Sequence, residues 1–106
     1  MSGQNTDFFW EVASPFLKGE GISKGTMMGF PCLRVQGQFF ASADHRTGDL
    51  IVKLPATRVT EIIDAGGGEP FAPAGRTFRE WVKIVKHDAA VWRKLIEEAQ
   101  KFVESE

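Results

Sequence analysis

MGFPCLRVQGQFFASADHRTGDLIVKL, residues 28–54, is the stretch that decides how this chain folds. It holds three β-rich apolar runs, Met28–Gln36, Gln38–Ala43 and Asp49–Leu54, separated by two polar breaks. Gln36-Gly37 is a short turn, and Asp44-His45-Arg46-Thr47-Gly48 reads as a second hairpin loop. Short turns between successive strands make an antiparallel meander, because parallel neighbours need a long crossover. Pro31 cannot donate to a ladder, so its strand is expected at an edge or with a bulge.

Helical patterns flank the meander. Upstream, Phe8, Phe9, Val12, Ala13, Phe16 and Leu17 form one apolar stripe at helical spacing. Asn5 or Thr6 can cap that helix, Asp7 suits its positive end, and Pro15 breaks or kinks it. Gly19 and Gly21 read as a loop. Downstream, Pro55 opens a second helix with Val59, Ile62 and Ile63 on its buried side, and Gly66-Gly67-Gly68 ends it. Glu69–Pro73 reads as a short strand, and Pro73-Ala74-Gly75 as a turn. Thr77–Val85 fits either a helical or a strand period, and its β-branched and aromatic content favours a strand. Asp88 caps a last helix with the stripe Val91, Trp92, Leu95, Ile96, Ala99, Phe102 and Val103. The expected order is α-β-β-β-α-β-β-α. That is an α+β fold of two layers, an antiparallel sheet with all helices on one face.

At 106 residues the chain is read as a single domain, 1–106, burying roughly 65% of its unfolded surface. Its 42% hydrophobic and 25% charged residues exclude a disordered, collagen-like or coiled-coil chain. One cysteine, Cys32, makes no intrachain disulfide, which points to a reducing, cytoplasmic setting. No membrane span or secretion signal is read in the sequence. The net charge of −1 hides a block pattern, with acids and bases concentrated in alternating segments. Residues 76–94, for example, carry six bases against two acids, while residues 59–75 carry three acids and no base. Alternation of this kind suits solvated faces better than a nucleic-acid stripe.

Several segments resemble the TfoX N-terminal and YjbR (MmcQ)-like domains. Lys24-Gly25-Thr26-Met27-Met28-Gly29-Phe30-Pro31-Cys32-Leu33-Arg34-Val35 is similar to their opening strand, with Met28 where those domains often have Phe. The likeness continues through Gly37-Gln38-Phe39-Phe40-Ala41 and Val52-Lys53-Leu54-Pro55. It ends with Gly75-Arg76, Trp81, and a closing helix containing Trp92 and Glu98-Ala99, so that it spans residues 6–104. The resemblance implies the same element order, and links to competence-gene regulation or DNA binding. It implies no catalytic residues, since the family has no agreed enzymatic activity.

The residues themselves point to no catalytic, cofactor or metal site. Cys32 falls in an apolar strand, where a thiol is buried and inert. His45 in its loop and His87 before Asp88 read as surface, and their spacing to Cys32 makes no zinc site. The triple glycine follows a helix and lacks a following Gly-Lys-Ser/Thr, so it is no phosphate loop.

Strand parity yields the one candidate site. With Leu33, Val35, Phe39, Ala41, Ala43, Leu50, Val52, Leu54, Phe78, Val82 and Ile84 facing the helices, the outer face presents Arg34, Phe40, Ile51, Lys53, Arg79, Trp81 and Lys83. Cations interleaved with aromatics fit three readings. The face is a self-association or protein-partner surface, a covered part of the core, or a nucleic-acid platform. Acidic flanks put the interaction reading first. The function expected is thus a small non-enzymatic regulatory module that self-associates or binds a protein. The alternative is a nucleic-acid-binding module in transcription or competence.

Overall fold

The computed structural model describes residues 6–27 and 29–105, and at positions 27 and 74 the backbone alone. Asn5 and Met28 therefore lie outside the described residues. The chain runs α1 (Asp7–Ala13), a 3₁₀ turn (Ser14–Lys18), β1 (Ile22–Met27), β2 (Phe30–Val35), β3 (Gln38–Ala43) and β4 (Leu50–Lys53). It continues through α2 (Ala56–Asp64), β5 (Glu69–Pro70), a 3₁₀ turn (Pro73–Gly75), β6 (Trp81–Ile84) and α3 (Ala89–Glu104). The strands form one antiparallel sheet in the order β1-β2-β3-β4-β6-β5.

All three helices cover the same face. Phe9, Val12 and Ala13 of α1, Val59 and Ile62 of α2, and Trp92, Leu95, Ile96, Ala99 and Val103 of α3 share one core. Leu33, Val35, Phe40, Ala41, Ala43, Leu50, Val52, Val82 and Ile84 meet them from the sheet. Burying these stripes is what holds the two layers together, at roughly 25 cal/mol for each Å² of apolar surface removed from water. The Asp88 carboxylate accepts from the Ala90 and Val91 amides at 3.0 and 3.2 Å, capping α3 as its sequence position dictates. The Trp92 indole N–H donates to the Lys86 carbonyl at 2.9 Å, so a fully buried ring keeps its polar atom satisfied.

Several expectations are corrected. The sheet has six strands, and the order is α-β-β-β-β-α-β-β-α, because Ile22–Met27 pairs with β2 as an edge strand. Its apolar signal is weak for a physical reason: among the described side chains this edge strand buries only Ile22, while Ser23, Lys24 and Thr26 stay exposed. β2 is therefore interior rather than an edge. Pro31 is tolerated there because the β2–β3 ladder starts one residue later, at Cys32 opposite Ser42. The first α-helix stops at Ala13, and Pro15 sits in the 3₁₀ turn that follows, as a missing donor requires. Thr6 precedes the helix without a side-chain cap bond.

The register corrects the parity of β3. Leu33 pairs with Ala41 but Arg34 pairs with Phe39, so Phe40 is an extra residue in a bulge. The slip turns Phe40 into the core, fully buried, and puts Phe39 on the outer face beside Arg34. Phe78 also departs from its expected place. The strand around it begins only at Trp81, and Phe78 lies in the preceding turn, packed on the outer face instead of under the helices.

Candidate binding face

The outer face is built in cross-strand rows. The central row runs Gly25, Cys32, Ser42, Ile51, Lys83 and Glu69 through all six strands. Cys32, Ser42 and Ile51 in it are fully buried, although no helix lies on this side. Over Ile51 the cover is the chain's own β5–β6 connection. Phe71 crosses to the outer face and packs with Phe30 and Ile51, joined by half-buried Phe78 and Trp81. The Phe78 amide donates to the Phe71 carbonyl at 3.0 Å and the Trp81 amide to the Phe78 carbonyl at 3.1 Å, which folds this segment into place.

Cys32 is the one thiol of the chain. Burial pushes it up to about 11, against a partial lowering by the Arg34 charge. His45 leans on the Phe30 ring at 5.0 Å, and His87 places Nε2 3.1 Å from Asp49 Oδ1, so each histidine has its own partner away from the thiol. His87 is exposed, as its sequence position implies, and it also makes ring contacts. Its ring stacks on Phe8 at 5.4 Å and meets Trp92 edge-on at 5.0 Å. Among the described residues no group of three metal-ligating side chains comes together.

The structure separates the six residues read as a binding face. Lys53 and Trp81 are direct partners across β4 and β6, and Arg79 is exposed in the turn just before Trp81. Arg34 lies across the sheet, its guanidinium 6.0 Å over the Phe39 ring. Phe40 is in the core. Lys83 shares the face, but its ammonium sits 3.6 Å from carboxylate oxygens of both Asp44 and Asp49. Those two acids are almost entirely buried, and they neutralise Lys83.

Trp81 has a second exposure. On its far side it walls a groove of about 420 Å³ between α2 and the 77–81 segment, together with Val59, Ile63, Pro70 and Phe78. Phe39, Phe71, Phe78 and Arg76, whose guanidinium lies 5.6 Å over Phe78, were outside the face read from sequence. A signal existed for Phe71, a lone aromatic between Pro70 and Pro73. An apolar residue in a turn-rich stretch needs something to cover.

Among the described residues no helix is long and apolar enough to cross a membrane. No family model, curated protein or solved structure matches this chain.

Proposed function

We propose that this chain is a non-enzymatic protein-interaction module whose contact surface centres on Trp81. One observation carries the reading. Trp81 belongs to an aromatic cluster yet is only half-buried, with Lys53 opposite and Arg79 beside it, while Lys83 is neutralised by Asp44 and Asp49. A half-buried aromatic with arginine at its rim, and with part of the nearby positive charge internally cancelled, suits a protein surface better than a phosphate chain. The buried thiol, far from the pKa of a nucleophile, supports a non-enzymatic role. It also suits a reducing cytoplasmic setting.

We further infer a diverged TfoX N-terminal/YjbR-like domain. The helices on one sheet face and the strand from Phe30 onward support that reading, and the additional edge strand Ile22–Met27 departs from it.

Two measurements test the interaction reading. Trp81→Ala should remove protein association, read as a fall in mass by size exclusion with light scattering where the partner is a second copy. Short oligo(dT) should bind neither wild type nor variant. Oligonucleotide binding that depends on Trp81, with a log–log salt slope of about 0.7 per contacted phosphate, would replace this function with the nucleic-acid one.

A further inference from the structure

We propose that the groove between α2 and the 77–81 segment receives the apolar anchor of an acidic peptide segment from a partner protein. This rests on the interaction reading above and names its occupant. The groove exists because the sheet runs out of strand. β5 pairs with β6 only through Glu69 opposite Lys83 and Pro70 opposite Val82, so nothing flanks β6 on that side at Trp81. Proline ends the ladder, since it has no N–H to continue it. The chain then crosses to the outer face at Phe71, leaving α2 as the opposite wall.

What remains is a slot of about 420 Å³, large enough for a leucine or an aromatic side chain with its backbone. Val59, Ile63, Pro70, Phe78 and Trp81 make it apolar, and Thr57 and Thr77 add hydroxyls at its walls. Among the described residues Arg79 is the sole charge lining it. Arg79 is exposed and has no ion pair or hydrogen bond among the described residues. Arg76 stands over Phe78, one of the groove's rings, and Glu61 of α2 pairs with Arg58 at 3.4 Å. An apolar slot with an unmet positive rim is complementary to an apolar side chain flanked by carboxylates. A nucleic acid fits it less well, because a slot walled by Val59, Ile63 and Pro70 buries a side chain, whereas a phosphate chain needs an open, cation-lined track and finds one lining cation, Arg79, among the described residues. The comparable cavity of about 410 Å³ beside Gly66–Gly68 is lined by Glu69, Lys86 and Asp88 together, and its mixed charge selects no occupant.

The test titrates the intact protein with a fluorescein-labelled peptide EDEFLDED, its basic counterpart KKKFLKKK, and short oligo(dT). Arg79→Glu reverses the rim charge on an exposed turn, and Thr60→Trp fills the slot from an exposed helix position. Neither replaces Trp81 itself. The acidic peptide should bind saturably, each variant should weaken it by about tenfold or more, and the basic peptide should not bind. Absence of acidic-peptide binding, or binding unchanged in both variants, overturns the proposal. So does oligo(dT) binding that Arg79→Glu abolishes while peptide binding persists. Should Trp81→Ala abolish association while Arg79→Glu and Thr60→Trp change nothing, the interaction surface stands and the groove proposal alone falls.

Discussion

Lys83 bridges Asp44 and Asp49 on the outer face of the sheet, with its ammonium 3.6 Å from an oxygen of each carboxylate. The two acids flank the β3–β4 hairpin loop, and each has further partners. Asp44 accepts from the Arg46 amide at 2.9 Å, and Asp49 from the Thr47 hydroxyl at 2.9 Å. The bridge ties a hairpin loop to β6, and it determines which charges the face has left for a ligand.

Acid stability follows from the same cluster. Burial works to raise the Asp44 carboxyl, but hydrogen bonds from Arg46 and the charges of Arg46 and Lys83 outweigh it, so the group lies below the ordinary aspartate value. A depressed folded-state value means stability that is fully present above the unfolded value near ~3.9 and lost as pH falls through the folded one. Asp44→Asn should therefore destabilise by about 1–3 kcal/mol near neutrality, by leaving the Arg46 donors and the Lys83 ammonium poorly met. Urea unfolding at descending pH should show the gap between wild type and variant narrowing below ~pH 4. A gap constant down to the acid transition would mean that the Asp44 charge contributes nothing.

The thiol should be silent in the folded chain. Cys32 is fully buried, and burial pushes it up to about 11. A disulfide reagent at neutral pH should label it only through unfolding, so labelling should be slow in buffer and immediate in denaturant. Fast native labelling would show that the sheet around Cys32 opens readily.

The adjacent phenylalanines of β3 should behave oppositely. Phe40→Ala empties a fully buried core position and should cost about 3–5 kcal/mol. Phe39→Ala removes a half-exposed ring and its contact with Arg34, and should cost under about 1 kcal/mol. Chemical denaturation of the two variants measures both. Equal losses would contradict the bulge.

What was legible in the sequence is what repeats along it. The stripes of α1, α2 and α3 and the alternation of Leu33/Val35 and Leu50/Val52/Leu54 announced two layers with the helices together, since periodicity records burial directly. Three features left no periodic trace. Edge strand β1 buries too little to alternate. The Phe40 bulge depends on hydrogen bonding with β2, and a slip of one residue exchanges faces without altering composition. The cover over Ile51 comes from Phe71 and Phe78 in irregular chain, where no parity rule holds. For the site, parity correctly placed Arg34, Lys53, Trp81 and Lys83 on one face. The neutralisation of Lys83 was not legible, because it needs two loop-flanking aspartates brought to β6 by the fold.

The three consecutive glycines after α2 should differ sharply when each is replaced by alanine. Gly66 has φ +77°, a left-handed conformation that costs an alanine about 1–2 kcal/mol. Gly68 has an ordinary φ but no room. A Cβ there would meet Val82 Cγ2 at 2.9 Å, the Lys83 carbonyl at 3.0 Å and Ile62 Cγ2 at 3.1 Å, and one of those is backbone that cannot yield cheaply. Overpacking of this sort should cost about 1–3 kcal/mol and loosen α2 against β6. Gly67 is constrained by neither effect, since its nearest neighbours would lie at 3.4 and 3.5 Å, in ordinary contact. Gly67→Ala should be close to neutral, or slightly stabilising through a less flexible unfolded chain. Thermal midpoints of the three variants should therefore place Gly67→Ala at the wild-type value with the other two well below it. A Gly67→Ala loss as large as that at Gly68 would show that the connector needs its flexibility rather than one left-handed turn and one close approach.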